Sequence, residues 1–246
     1  MLRHISLIIA VLALASGTLN AQFSAYVELS GAITGYNDAQ SPNNASTDRF
    51  SFIDDLESPA IVPSGRLHIR WNVAPKHQVG LLMTPLTVNA DGQFDRSITY
   101  EGETFLPGED IEAVYSFNSY RLQYRYLFPK LKVLRSLGLS IKVRDAVISL
   151  KSDTKYAEKT DLGVVPLISC DLGHRFNDKW EINFEGEALA SKFGRAEDVQ
   201  LSVDYRVNES NEIRLGYRLL EGGSDIDEVY TFALFHYPTI GWSMEF

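Results

Sequence analysis

Ser119-Tyr120-Arg121-Leu122-Gln123-Tyr124-Arg125-Tyr126, continued by Leu127-Phe128, puts an apolar or aromatic side chain at every even position and Arg, Gln or Arg at the odd positions 121, 123 and 125. An extended strand points successive side chains to opposite faces, so this stretch has one greasy face and one cationic face. A helix built from the same residues would mix the two kinds of side chain around its circumference.

The alternation recurs along the chain. It is seen in Phe23–Leu29, in Leu67, Ile69, Trp71 and Val73, and in Val79, Leu81 and Met83. It returns in Leu137–Val143, in Val164–Leu172 and in Trp180–Ala188, then in Val199–Val207, in Ile213–Leu219 and in Phe232–Phe246. With the opening stretch this gives ten strands. The connections Ala74–His77, Asn177–Lys179 and Asn208–Asn211 are short, with Pro129–Ser136 somewhat longer, whereas Thr34–Gly65 and Asn89–Asp110 read as long loops. Short turns at one end and long loops at the other are the layout of an all-β, antiparallel, up-and-down transmembrane β-barrel. An even strand count puts both termini on the short-turn, periplasmic side. Phe23, Trp71, Phe128, Phe176, Trp180 and Trp242 lie near strand ends, as an interfacial girdle requires.

A soluble β-sandwich would alternate too. Its outward face would carry scattered solvent-facing residues, whereas here the polar face is rich in Arg and Glu. Those charges are expected in the lumen: Arg66 and Arg70 from the second strand, Arg121, Arg125, Lys142 and Arg144 from the fourth and fifth, Glu181, Glu185 and Glu187 from the seventh, and Arg214 and Arg218 from the ninth. Two readings follow. The charges pair into a plug that fills a structural barrel, or they line a narrow porin-like channel for small polar solutes.

The 246 residues carry 32 acids, 23 bases and a net charge of −9, which argues against a nucleic-acid partner. One cysteine, Cys170, excludes an intrachain disulfide framework and a cysteine-rich zinc site. Met1–Ala21 read as an export signal: Arg3 and His4 precede the apolar run Ile5–Ala15, which is too short to span about 30 Å of hydrocarbon. Residues 22–246 then form the barrel domain.

The terminal strand ends on Phe246, with Trp242 and Met244 on the same face. It resembles the C-terminal signature of bacterial outer-membrane barrels. That resemblance implies an outer-membrane location, recognition of Trp242, Met244 and Phe246 by the outer-membrane assembly machinery, and lipid with lipopolysaccharide as surroundings. Ser119–Tyr126 and Glu221–Tyr230 likewise resemble segments of small, uncharacterised outer-membrane proteins.

Chemistry is sparse. No cofactor is expected. A barrel protease of the omptin kind needs acidic pairs and a histidine at the outer rim. The acids at hand are Asp54-Asp55 and Asp225, Asp227 and Glu228, and the histidines nearest the outer half are His68 and His236, the latter expected to face lipid. A Ser30, His68 and Glu28 grouping on adjacent strands has a poor register. Asp225, Asp227 and Glu228 are weak candidates for a divalent cation, and a solvated acidic loop is the alternative. Phe50-Ser51-Phe52-Ile53 reads as a short strand projecting from the first loop or as a ligand-contact surface. The expected function is therefore a structural or narrow porin-like barrel. A surface adhesin or binding barrel using the long loops is the alternative, and a hydrolase acting on lipid or peptide comes third.

Overall fold

The computed structural model describes residues 23–246; the export signal expected at Met1–Ala21 lies outside them. Fourteen β-elements follow in order. They are β1 (Phe23–Gln40), β2 (Phe50–Ser51), β3 (Val62–Ala74), β4 (His77–Thr84), β5 (Thr87–Gln93), β6 (Ile98–Tyr100) and β7 (Glu103–Phe105), then β8 (Asp110–Leu127), β9 (Leu134–Lys151), β10 (Tyr156–Arg175), β11 (Trp180–Ser191), β12 (Gly194–Asn208), β13 (Asn211–Ile226) and β14 (Val229–Glu245). Each barrel strand pairs antiparallel with its neighbours, and β14 closes on β1 from Ser24↔Glu245 to Gln40↔Tyr230. With β4 and β5 forming one stave interrupted at Pro85-Leu86, the barrel has ten staves. Closure leaves no free sheet edge around the apolar belt, the condition for a sheet to sit in hydrocarbon.

The strands are longer than the sequence pattern suggests, because the pattern reverses part-way along them. On β8 the odd residues all face inward. Ile111, Ala113 and Tyr115 are buried apolar residues near the loop end, and Ser119, Arg121, Gln123 and Arg125 are buried polar ones below them. The outward residues change in the opposite sense, from Glu112, Ser116 and Asn118 to Tyr120, Leu122 and Tyr124. On β9, Lys142 faces inward below Ile148 and Leu150, while Leu137, Leu139 and Ile141 are exposed outside. The lower zone is greasy outside and polar inside; the upper zone is polar outside and greasy inside.

A strand of 18 residues such as β8 is about 60 Å long, and at a tilt near 40° it rises roughly 45 Å, against an apolar band of about 25 Å. Almost half of the tall staves therefore stands clear of the belt. This corrects the expected loops: Thr34–Gln40 and Asn89–Gln93 are strand, and β9 meets β10, β11 meets β12 and β13 meets β14 through short turns. The aromatics expected as a girdle gather at the termini end of the belt. Phe23 stacks on Trp71 at 5.6 Å between centroids, Trp180 lies 4.8 Å from Tyr205, and Trp242 Nε1 donates to Asn211 Oδ1 at 3.0 Å.

Candidate functional site: the filled lumen

The inside of the barrel has three layers. At the loop end is an apolar plug. The expected loop strand exists as β2, paired to β1 through Asp38↔Ser51 and Ala39↔Phe50, but it turns inward instead of projecting. Phe50 and Phe52 are fully buried. The β6–β7 hairpin folds into the same space with Ile98, Tyr100 and Phe105, joined by Phe94. Phe50 packs at 5.5 Å on Tyr100 and 5.8 Å on Phe94, Phe52 at 5.8 Å on Tyr115, and Tyr115 at 5.8 Å on Phe235. Two segments that read as solvent-facing loops thus supply the core of the projecting half, because the upper barrel wall offers them an apolar inner face. Asp55 pins the first segment. Burial opposes its ionisation, but Arg96 grips both carboxylate oxygens, at 2.6 and 3.0 Å, and the Ser51 N–H donates at 2.8 Å, so its carboxyl is held below the usual range.

Below the plug lies the charge layer. All eleven predicted lumen charges face inward, but the partners that organise them are mostly acids outside that set. Asp198 is the hub: Arg121 Nη2 lies 2.7 Å away, Arg66 Nη1 3.6 Å and Arg218 Nη1 4.0 Å. Arg121 also holds Glu187 at 2.5 Å, and Gln123 donates to the same carboxylate. Arg218 reaches Glu28 at 3.1 Å, which also accepts from Tyr26 Oη at 2.8 Å and Gln200 Nε2 at 2.9 Å. Lower down, Glu185 lies between Arg70 at 3.0 Å and Arg214 at 3.2 Å, and Arg214 continues to Asp204 at 2.7 Å. Arg144 pairs with Asp161, and Glu181 with Arg135 and Arg175 at the termini end. Lys142 departs from expectation. It has no carboxylate within ion-pair distance among the described residues and lies 5.2 Å from the Phe117 ring, under the plug.

Buried charges are tolerable only when paired, and this layer pairs them across the bore from distant staves. Basic and acidic residues therefore interlock as pairs across the bore. Asp198, Glu28 and Asp204 were recoverable in principle. Each has the even-numbered parity opposite to the apolar positions of its strand, Asp198 and Asp204 against Val199, Leu201 and Val203, and Glu28 against Val27 and Leu29.

The third layer is open. A polar cavity of about 200 Å³ at the termini end is lined by Arg70, Arg135, Asp171, Glu181, Asn183, Glu185 and Arg214, among others.

The enzymatic candidates do not assemble. His68 is buried opposite Tyr26 and Leu82, and Arg70 Nε donates to its Nε2 at 3.3 Å. Ser30 lies opposite Ser64 and donates to that residue's carbonyl, so the Ser30, His68 and Glu28 grouping is out of register. His236 faces outward and shares a 2.7 Å hydrogen bond with Tyr217 Oη. Asp225 accepts from Asn43 Nδ2 at 2.8 Å, and among the described residues no three His, Cys, Asp or Glu side chains converge as a metal site would need, Asp227 and Glu228 included.

Solved structures match the closed barrel. The outer membrane protease OmpT from Escherichia coli aligns with a TM-score of 0.55 over 94% of this chain and 100% of its own, at 11% identity. The fold is that of a bacterial outer-membrane β-barrel. The translocator domain of autotransporter NalP from Neisseria meningitidis aligns at 0.49 and 9% identity, over 99% of this chain and 96% of its own. The attachment invasion locus protein Ail of Yersinia pestis aligns at 0.39 and 8% identity, over 93% of this chain and 100% of its own. No family model and no curated protein matches the sequence. At these identities the likeness concerns the fold alone.

Proposed function

We propose that this chain is an outer-membrane barrel with a closed lumen that works through its projecting loop end, as a surface-binding barrel and not as a solute channel. The observation that carries this reading is the plug: Phe50, Phe52, Phe94, Ile98, Tyr100 and Phe105 are at most 1% exposed inside the upper barrel. A hydrated ion would have to displace these side chains and then pass guanidinium–carboxylate pairs that span the bore. The export signal read in Met1–Ala21 and the terminal Phe246 support an outer-membrane location, with periplasmic termini and assembly through the last strand. Lipid and lipopolysaccharide would surround the belt.

The projecting end carries exposed Asp48, Asp54, Asp95, Glu103, Asp110, Asp227 and Glu228. It accounts for much of the net −9 and favours a partner with a cationic surface. This reading assigns no catalytic step, in keeping with the burial of His68 and the outward orientation of His236.

The test is planar-bilayer recording on the purified, folded protein. The expected result is no stepwise conductance in wild type, nor in a variant with Phe50 and Phe105 both changed to Ser, in which the charge layer still closes the bore. Regular steps from wild type, with a selectivity that changes on Glu185→Gln, would overturn the closed-lumen reading in favour of the narrow channel.

A further inference from the structure

The barrel wall is uneven above the belt. β10 has 20 residues and its neighbour β11 only 12. β11 turns back into β12 at Ser191↔Gly194, and the pairing of β10 with β11 stops at Ile168↔Ala188. From Leu167 up to Tyr156, β10 is paired to β9 alone. No further backbone hydrogen bond among the described residues reaches this stretch. In an antiparallel pair every second residue turns its N–H and C=O away from the partner strand. One side of upper β10 is therefore a row of open donors and acceptors. Pro166 lies in that stretch, and a proline, having no N–H to give, belongs on a sheet edge.

The side chains along this edge leave it open. Leu162 is 75% and Val164 68% exposed, the highest values among the large hydrophobic residues described. Val164 lies opposite Val143, and Leu162 opposite Asp145, so the edge begins at the rim of the belt and rises out of it. On the inner face Asp161 is 45% exposed although Arg144 holds it, while Lys159 is turned to Glu101 at 3.6 Å. A long edge with exposed apolar residues is a template for one more strand.

A second copy in the same membrane cannot supply that strand by symmetry. A two-fold axis that pairs the edge antiparallel with itself is normal to the sheet, hence in the membrane plane, and would turn one barrel upside down. A two-fold axis along the strand would set the inner face of one barrel against the outer face of the other. The strand must come from a different molecule. Exposed Glu158 and Asp161, at an acidic end of the barrel, favour cationic side chains on it, and Leu162 and Val164 favour apolar ones.

We propose that upper β10 receives an extended segment of a partner protein as an added strand. Apolar residues of that segment lie beside Leu162 and Val164 on the outer face, and a cationic residue lies beside Asp161 on the inner face. The proposal rests on the surface-binding reading and gives it a place and a partner of stated chemistry.

The test uses the full-length barrel in detergent and a fluorescent peptide of alternating lysine and valine, about eight residues long, enough for one strand. The peptide should bind and should slow amide hydrogen exchange within Tyr156–Leu167, where about half of the amides are open in the free protein. N-methylation of a central valine and of the lysine next to it blocks both edges of the peptide, keeps its charge, and should weaken binding by about tenfold or more. Leu162→Lys, at an exposed position, should weaken binding by about tenfold, because a lysine on an edge opposes pairing. Asp161→Asn should weaken it by about threefold, as loss of an exposed ion pair does. Glu112→Gln, which removes the same charge from the outer wall of β8, should leave affinity unchanged. Because Asp161→Asn frees Arg144, its folding is checked by heat-modifiable gel mobility, and Leu162→Lys carries the test if it fails to fold. No binding up to about 1 mM, equal affinity for the methylated peptide, or binding without protection of Tyr156–Leu167 would overturn the proposal. Slow exchange along that whole stretch before peptide is added would also overturn it, as the sign of a second copy already on the edge. Each of these results leaves the closed lumen standing, since bilayer recording reads the plug and not the edge.

Discussion

Replacing Arg121 by Met should be among the most damaging single changes in the barrel. Met keeps most of the apolar stem and removes the guanidinium. In the native lumen that group, 2% exposed, contacts Glu187 at 2.5 Å and Asp198 at 2.7 Å. Removing one partner of a buried pair costs about 3–5 kcal/mol, because the orphaned charge remains away from water. Two carboxylates are orphaned here, but unequally. Asp198 keeps Arg66 at 3.6 Å and Arg218 at 4.0 Å, while Glu187 keeps only the Gln123 amide. The loss should therefore fall near 4 kcal/mol, mostly from Glu187, which is about a thousandfold in the folding equilibrium. Reversible urea unfolding in detergent, followed by fluorescence of Trp71, Trp180 and Trp242 on the outer wall, measures it. Adding Glu187→Gln to the Met variant should recover more than half of the loss, and adding Asp198→Asn should recover less. A loss below about 1 kcal/mol would mean that the carboxylates are hydrated, since an exposed pair is worth no more than that, and the picture of a dry, interlocked charge layer would be wrong.

Further expectations concern the plug, the wall and the loops. Phe105→Ala should cost about 3–5 kcal/mol as a buried cavity, and proteolysis of the β6–β7 hairpin should show it loosened. Gly241→Ala should destabilise by roughly 1–3 kcal/mol, because the Tyr26 ring lies where the new Cβ would sit; an unchanged urea midpoint would refute the close approach. Asp55 has a lowered folded pKa, so its contribution is complete above its unfolded value near 4 and is lost as pH falls through that value towards the folded one. Protease sensitivity of Phe50–Ser58 should accordingly rise below about pH 4 in wild type and be high at neutral pH in Asp55→Ala. Deleting Phe246, whose N–H donates to the Phe23 carbonyl at 2.9 Å and helps close β14 on β1, should reduce the fraction that assembles into heat-modifiable barrel in cells.

Much of this barrel was legible locally. Ten alternating runs gave the strand number, the outward belt and the inward charges, because side-chain direction depends only on parity within one strand. His236 facing outward and Leu82 departing from the outward face of its strand could be read in the same way. Legibility failed where the surroundings change along a single strand. Above Ser119 the inward residues of β8 become Phe117, Tyr115 and Ala113, so a rule that assigns apolar residues to lipid ends the strand too early and makes a loop of the rest. For the same reason Phe50 and Phe52 looked like an exposed contact surface. Nothing within ten residues of them announces that a barrel wall will close around them.

The sequence by itself therefore determined the architecture and the sign of each surface, since these rest on two-residue periodicity and on composition. Only the tertiary structure decided which charges meet. Glu28 finds Arg218, Arg70 finds Glu185 and Asp198 gathers Arg66, Arg121 and Arg218. These pairs cross a bore between staves far apart in the chain, and they depend on the stagger with which the sheet closes on itself, which no local pattern encodes.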